Sequence, residues 1–410
     1  MSKFTIRPID ESEWAEYDQV LQEAFNSEGE PAFTERFRAL LTLDRTLAVF
    51  DGGTMIGTTA VTPFTMTVPG GPAPVAGVTA VAVLPSHRRR GVLSSLMRRQ
   101  LTDLHEAGEP LAALYATEAA IYGRFGYGRA SDTLAGTIPA HRSAFRRDAP
   151  ADPALRLRVA RPAEARKDFE RIFDTVMTGR PGHYSRTAAR WDALLADDET
   201  ARHGDGPLRC LLAEDDGEVR GYALFRVRNG VTDYDVPDSE LRLRELHATD
   251  PAAYALLWRG VLDRDLVGRV RTWSRPVDDP IVDLLAEPRH FNAVWLDELW
   301  VRLVDVGDAL VRRAYAAPVD LVLAVEDDVC PWNAGRWRLS ADESGAVCET
   351  TSAPADITLP ASALGAAYLG GRSLSGLTGA TVVREETPGA VRRLSAAMSW
   401  EPRPWAGLVF

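Results

Sequence analysis

The stretch Val78–Leu101, VTAVAVLPSHRRRGVLSSLMRRQL, decides how this chain is read. Its first half is a continuous run of small and β-branched residues ending at Pro85, the pattern of a buried strand. From Val92 onward, Val92, Leu93, Leu96, Met97, Leu101 and Leu104 recur at helical spacing. A short turn between them carries His87, Arg88, Arg89, Arg90 and Gly91. A helix N-terminus presents unpaired N–H groups and the positive end of the macrodipole, so it favours an anion. Arginines beside that end add charge, and Gly91 lets the main chain approach a pyrophosphate with no Cβ in the way. A basic turn alone is ordinarily a solvated surface. The full order of strand, proline, histidine, arginines, glycine and helix favours a phosphate site instead.

The same grammar extends in both directions. FTIRPI at Phe4–Ile9 reads as a strand, and DESEWAEYDQVLQEAF as a helix capped at Asp10. From Thr46, two or three strands are punctuated by the turns Asp51-Gly52-Gly53 and Pro69-Gly70-Gly71. Downstream, PLAALYA reads as a buried strand, and a short helix begins near Glu118. Strands joined by a crossover helix indicate an α/β layer structure.

Residues 151–295 repeat the pattern faintly. LRLRVARPAEARKDFERIF echoes the first strand and helix, and LRCLLAEDDGEVRGYALFRV echoes the strand pair with its turn. LRLRELHATDPAAYALLWRGVL echoes the opening stretch without its basic, glycine-bearing turn. The region reads as a duplicated fold without the anion site, the plainer alternative being generic strand–helix alternation. Residues 296–410 differ in kind: DLVLAVEDD, GRWRLSADESG and AVCETTSAPADITL look like hairpin strands, LPASALGAAYLGG and RRLSAAMSW like small helices, and the terminal GLVF like a strand. The expected organisation is an α/β unit over 1–150, a second over 151–295, and an α+β module over 296–410.

Composition excludes several classes. Hydrophobic residues at 45% and charged residues at 26% of 410 are those of a globular chain, not a disordered one. No apolar run approaches the ~20 residues that span a bilayer, and the first residues lack the apolar core of a signal peptide. Three scattered cysteines, Cys210, Cys330 and Cys348, favour neither a zinc site nor a disulfide framework. The expected compartment is the cytoplasm. A formal charge of -11 argues against a nucleic-acid binder; it aids solubility or attracts cationic molecules.

On these residues the chain resembles the GNAT acyltransferase superfamily, whose pyrophosphate loop reads Arg/Gln-x-x-Gly-x-Gly/Ala. Arg88–Leu93 fits that loop except at Leu93, which stands in place of the final small residue. HRRRGVL together with EAAIYGRFGYG and an aromatic last residue is similar, more narrowly, to the enhanced intracellular survival (Eis) family. Members carry two GNAT-like units and a sterol-carrier-like module, and the likeness covers essentially the whole chain.

The resemblance implies roles for particular residues. The main chain of Val81, Ala82 and Val83 would lie along pantetheine, the side chains remaining ordinary strand core. Arg89, Arg90, Gly91, Val92, Leu93 and Ser94 would hold the pyrophosphate, and Thr117 and Glu118 would border the cofactor arm. Tyr122 would be the general acid that protonates the departing thiolate, whereas Tyr127 reads as packing. The α-carboxylate of Phe410 would take the proton from the attacking amine. Its unperturbed pKa of about 3.5 is low for that task, and burial in an active-site cleft would raise it. The apolar terminal stretch Trp405–Phe410 favours burial over a frayed tail.

The implied activity is an acetyl-CoA-dependent N-acetyltransferase without a metal. A small-molecule cationic amine, aminoglycoside-like or another polyamine, would attack directly in a ternary complex, with the Val83 N–H polarising the carbonyl. Glu28, Glu30 and Asp44 are candidates for receiving that cation, or plain surface acids, and His87 reads as structural. No nucleic acid or membrane partner is implied, and the family's assembly is a homo-oligomer, typically a hexamer. Two alternatives stay open: a protein-lysine acetyltransferase, and a lipid-binding or carrier protein with a vestigial acyltransferase unit.

Overall fold

The computed structural model describes residues 4–380, 382–407, 409 and 410. Leu408, part of the apolar terminal stretch, lies outside them. Seven strands precede residue 140: β1 (Thr5–Arg7), β2 (Thr46–Asp51), β3 (Thr54–Val68), β4 (Gly71–Val83), β5 (Leu111–Tyr115), β6 (Gly128–Arg129) and β7 (Asp132–Pro139). Helices α1 (Trp14–Phe25), α2 (Pro31–Ala39), α3 (Val92–Glu106) and α4 (Ala119–Tyr122) lie among them. Asp10 starts the first helical turn as the sequence predicts. Its carboxylate accepts the Ser12 N–H at 2.9 Å, and Glu13 reaches back to the Asp10 N–H in a capping box. In α3 the expected stripe is inward: Val92, Leu96, Met97, Leu101 and Leu104 are buried and Leu93 half-buried.

Seven more strands follow: β8 (Arg156–Ala160), β9 (Arg209–Asp215), β10 (Glu218–Arg228), β11 (Ser239–Ala248), β12 (Val267–Pro276), β13 (Val294–Asp297) and β14 (Leu299–Leu303). The last five are β15 (Val319–Glu326), β16 (Gly335–Asp342), β17 (Gly345–Thr350), β18 (Ile357–Pro360) and β19 (Arg384–Glu385). Three sheets result, in the orders β1-β2-β3-β4-β5-β14-β6, β13-β7-β12-β11-β10-β9-β8 and β17-β16-β15-β18-β19. The first two are the repeated α/β units and the third the α+β module.

Sheet membership does not follow the boundaries at 150/151 and 295/296. β7 precedes residue 150 and yet pairs with β12 and β13 in the second sheet. β14 follows residue 296 and pairs with β5 and β6 in the first, Leu299 opposite Tyr115 and Trp300 opposite Arg129. The compact units accordingly interleave along the chain. One comprises Met1–Ser131, Pro181–Ala189 and Glu298–Phe410, the other Asp132–Arg180 and Arg190–Asp297. The terminal GLVF is a second departure from expectation: Gly407, Val409 and Phe410 lie outside any strand. Hydrogen bonds to side chains and to a remote loop hold this segment instead, which strand-like composition does not encode.

Candidate active site

The first sheet opens where β4 and β5 meet. Parallel pairing joins only Ala76 to Ala112 and Gly77 to Ala113, although β4 runs on to Val83. The register of β3 against β4 shifts between Thr58 and Ala60, and Ala80 takes a left-handed φ of 55°, so β4 bulges there. The pairing with β5 has already ended at Gly77 and Ala113, so the bulge bends a part of β4 that β5 does not cover. Leu84 donates its N–H to Ile56 on the β3 side. By strand alternation, the N–H and C=O of Val83 then face the opposite way, toward the unpaired edge. That edge can accept one extended, amide-bearing arm, with Val81, Ala82 and Val83 along it. Thr117 and Glu118, just past the end of β5, are exposed.

The turn after β4 leads into α3. Gly91 is the residue before the helix, at φ 84° and with no side-chain cap. The first bond into the helix is Ser95 N–H to the Gly91 carbonyl at 3.0 Å, so the N–H groups of Val92, Leu93 and Ser94 precede the intrahelical ladder. Arg88, Arg89 and Arg90 are exposed around this end. Asp51 braces the turn, with Arg90 Nη2 at 3.3 Å and His87 Nε2 at 3.6 Å from its carboxylate. The second unit handles the equivalent helix, Pro251–Leu262, in the opposite way. The Asp250 carboxylate accepts the Ala252 and Ala253 N–H groups, each at 3.0 Å. A built-in carboxylate there takes the place of an external anion.

Tyr122 ends α4 and is buried against the core formed with Val78, Met97, Leu101 and Leu114. Burial, followed by the negative charge of Glu118, pushes its phenol up to about 12. Tyr127 meets the Tyr122 ring edge-on at 6.1 Å and is wholly buried, as the packing role requires. The turn between them is backed by Arg302 of β14, a fully buried guanidinium lying against Gly126 and bonded to the Asp327 carboxylate at 2.6 Å.

The chain terminus comes to the same sheet. The hydroxyl of Thr79 on β4 donates to the main-chain oxygen of Phe410 at 3.2 Å. The Phe410 ring packs on Phe64, Tyr115 and Tyr184, with centroid distances of 4.8, 5.2 and 5.2 Å. Gly77 clears the room: a Cβ there would sit 2.3 Å from Phe64 and 3.0 Å from Phe410. The segment 181–185 continues this wall as an added edge on β3. Gly182 N–H donates to the Thr67 carbonyl, Thr67 N–H to the His183 carbonyl and Ser185 N–H to the Thr65 carbonyl, each at 2.8 Å. Pro181 in turn accepts the Trp405 N–H at 2.9 Å.

Val81–Val83 and the Thr79 contact of Phe410 lie on β4, which leads into the α3 start; Tyr122, on α4, packs with Val78, Met97, Leu101 and Leu114, in a different cluster from the Phe64, Tyr115 and Tyr184 rings that meet Phe410. Glu28, Glu30 and Asp44 are exposed on the turns flanking α2. The sequence reading missed Thr79, the 181–185 segment and Arg302. Thr79 carried a faint signal, a hydroxyl inside an otherwise apolar strand; the other two had none, because their contacts are remote in sequence.

Comparison with known proteins agrees with this layout. Residues 5–130 match the family described as Acetyltransferase (GNAT) domain, residues 182–303 a second family of that description, and residues 306–407 the Sterol carrier protein domain. An uncharacterized N-acetyltransferase of Streptomyces avermitilis is 43% identical, the match covering 98% of each chain. N-acetyltransferase Eis of Mycobacterium tuberculosis is 35% identical, with 90% of each chain covered. The crystal structure of Eis1 from Mycobacterium abscessus superposes with a TM-score of 0.83 at 32% identity, covering 99% of this chain and 100% of that one. Two GNAT units, a sterol-carrier module and full-length identity at this level place the chain in the Eis family of N-acetyltransferases, within the GNAT superfamily.

Proposed function

We propose that this N-acetyltransferase takes acetyl from acetyl-CoA and delivers it to an amine of a small cationic acceptor by direct attack in a ternary complex. The observation that carries the reading is the Phe410 terminal carboxylate, held by Thr79 on the strand whose free edge would carry pantetheine. An anion at that point suits an ammonium-bearing acceptor and can accept its proton.

The residues divide the work by position. Arg89, Arg90 and the N–H groups of Val92, Leu93 and Ser94 hold the pyrophosphate, and the main chain of Val81–Val83 aligns the thioester arm. The outward Val83 N–H is placed to polarise the acetyl carbonyl. The Phe410 carboxylate takes the amine proton, directly or through water, and the Tyr122 hydroxyl gives a proton to the departing sulfur. A phenol near 12 donates to a thiolate only if the thiolate is made basic as well. Burial does this to the chain's own thiols, with Cys330 pushed up to about 11 and Cys348 to about 12.

All three cysteines are free and buried, which suits a reducing compartment such as the cytoplasm. Among the described residues, no helix is long and apolar enough to cross a membrane. The family resemblance supports a closed homo-oligomer, a hexamer. A thiol-release panel over aminoglycosides, linear polyamines and lysine peptides tests the acceptor class. Turnover of the small polyamines and aminoglycosides above that of the peptides is expected. Preference for peptides would assign the enzyme to protein lysines, and no thiol release with any amine would favour the lipid-carrier alternative.

A further inference from the structure

Glu298 stands between the end of β13 and the start of β14 and is only 5% exposed. Its carboxylate accepts hydrogen bonds from Ser131 and from the tail. Oε2 takes the Ser131 hydroxyl at 2.8 Å and the Ala406 N–H at 3.0 Å, and Oε1 takes the Gly407 N–H at 3.0 Å. Ser131 is fixed in its turn, since its hydroxyl accepts the Leu299 N–H at 3.1 Å and its carbonyl the Glu298 N–H at 3.1 Å. A buried carboxylate is costly unless each oxygen finds donors, and here both oxygens are engaged by the main chain of the tail.

The clamp lies three residues before the chain end. Three residues of chain reach at most about 10 Å, so fixing Gly407 confines the terminal carboxylate to a small region. The neighbouring residue completes the link. Leu299 pairs with Tyr115, the residue whose ring meets Phe410 edge-on. We propose that Glu298 is the positioning residue for the Phe410 carboxylate: buried and bonded to the tail, it fixes the Ala406–Gly407 main chain so that the terminus meets Thr79. The inference rests on the reading of that carboxylate as the proton acceptor.

A carboxylate suits this place better than an amide. Both oxygens accept, whereas a glutamine would turn an NH2 group toward one of two N–H donors. Glu298→Gln therefore keeps the shape and loses one half of the clamp. Ser131→Ala leaves both tail contacts and removes only the support behind them. It is the milder variant if Glu298→Gln fails to fold.

The test uses the full chain as wild type, Glu298→Gln, Ser131→Ala and a form with one glycine added after Phe410. Three readouts are taken: thiol-release kinetics with and without added formate, acetyl-CoA affinity by calorimetry, and release of free phenylalanine by a carboxypeptidase under native conditions. In Glu298→Gln, kcat should fall about 10- to 100-fold with acetyl-CoA affinity kept. Formate should restore part of the rate, and Phe410 should be released about tenfold faster than in wild type. Ser131→Ala should move the same readouts in the same direction by about two- to fivefold. Unchanged kcat and unchanged Phe410 release in the folded variants overturn the clamp. So does lost activity with Phe410 still protected and no response to formate, which marks a merely structural loss. A glycine-extended chain with wild-type turnover overturns the proton-acceptor reading instead, while the release assay still decides whether Glu298 holds the tail.

Discussion

Thr79 and Phe410 are 331 positions apart in the chain and joined by a hydrogen bond, hydroxyl to main-chain oxygen, at 3.2 Å. The bond puts the last residue of the C-terminal module on the central strand of the first sheet. A donor to a carboxylate stabilises its ionised form, so under the proposed function Thr79 would hold the terminal carboxylate in the form that accepts a proton. Thr79→Val keeps the shape and removes the donor, which raises the carboxylate pKa. The acidic limb of the kcat/KM profile should therefore move to higher pH, and kcat should fall by about 3- to 30-fold if the carboxylate also loses its alignment. A pH–rate series on the two proteins checks both effects.

Tyr122→Phe keeps the ring and removes the proton, and kcat should drop by about 10²- to 10⁴-fold. Tyr127→Phe should cost far less, because that hydroxyl lies in the core without a partner. The sign of the Tyr122 shift matters for pH. Raised to about 12, the phenol stays protonated throughout neutral and mildly alkaline solution, as the proposed acid has to be. No alkaline loss of kcat traceable to Tyr122 should appear below about pH 11. Equal losses at the two tyrosines would put the acid elsewhere.

Arg89→Ala with Arg90→Ala should weaken acetyl-CoA binding by about 1.5–3 kcal/mol for each charge-assisted hydrogen bond removed. Arg90 also bonds Asp51, so part of its effect should appear as a loosened turn. Single variants measured by calorimetry separate the two, with the exposed Arg89 acting on binding alone. Unchanged affinity in the double variant would sink the pyrophosphate clamp.

The terminus offers an inversion test. Phe410→Ala keeps a carboxylate and removes the ring packed on Phe64, Tyr115 and Tyr184. It should retain a measurable rate, with kcat down about tenfold from poorer placement. A short C-terminal extension keeps the ring and displaces the charge, and it should abolish turnover with acetyl-CoA binding intact. A chain tagged after Phe410 and still fully active would falsify the carboxylate's role.

Much of this was legible in the sequence because it is local. The Asp10 cap, the glycine turns, the strand into α3 and the stripe Val92–Leu104 each depend on neighbours within a few residues. That the second unit's helix start carries no basic turn was legible too. What the absence did not disclose was Asp250, whose carboxylate fills the helix start. The partners of strands were not legible. TLAGTIP and LWVRL have the same alternation wherever they pair, so nothing local assigns β7 to the second sheet or β14 to the first. Glu298 and Arg302 lie at β14, and their contacts with Ser131, the tail, Gly126 and Asp327 depend on that placement.

The exchange of β7 and β14 also has a bearing on synthesis. The first sheet lacks the strand that lies between β5 and β6 until residue 303 has left the ribosome, although its other six strands are complete by residue 129. A fragment ending near residue 150 would expose the β5 edge and carry β7 without its partners β12 and β13. Such open edges invite pairing with other chains. Expression of the first unit alone should therefore give more aggregate than expression of the whole chain, as read by the fraction left in the supernatant.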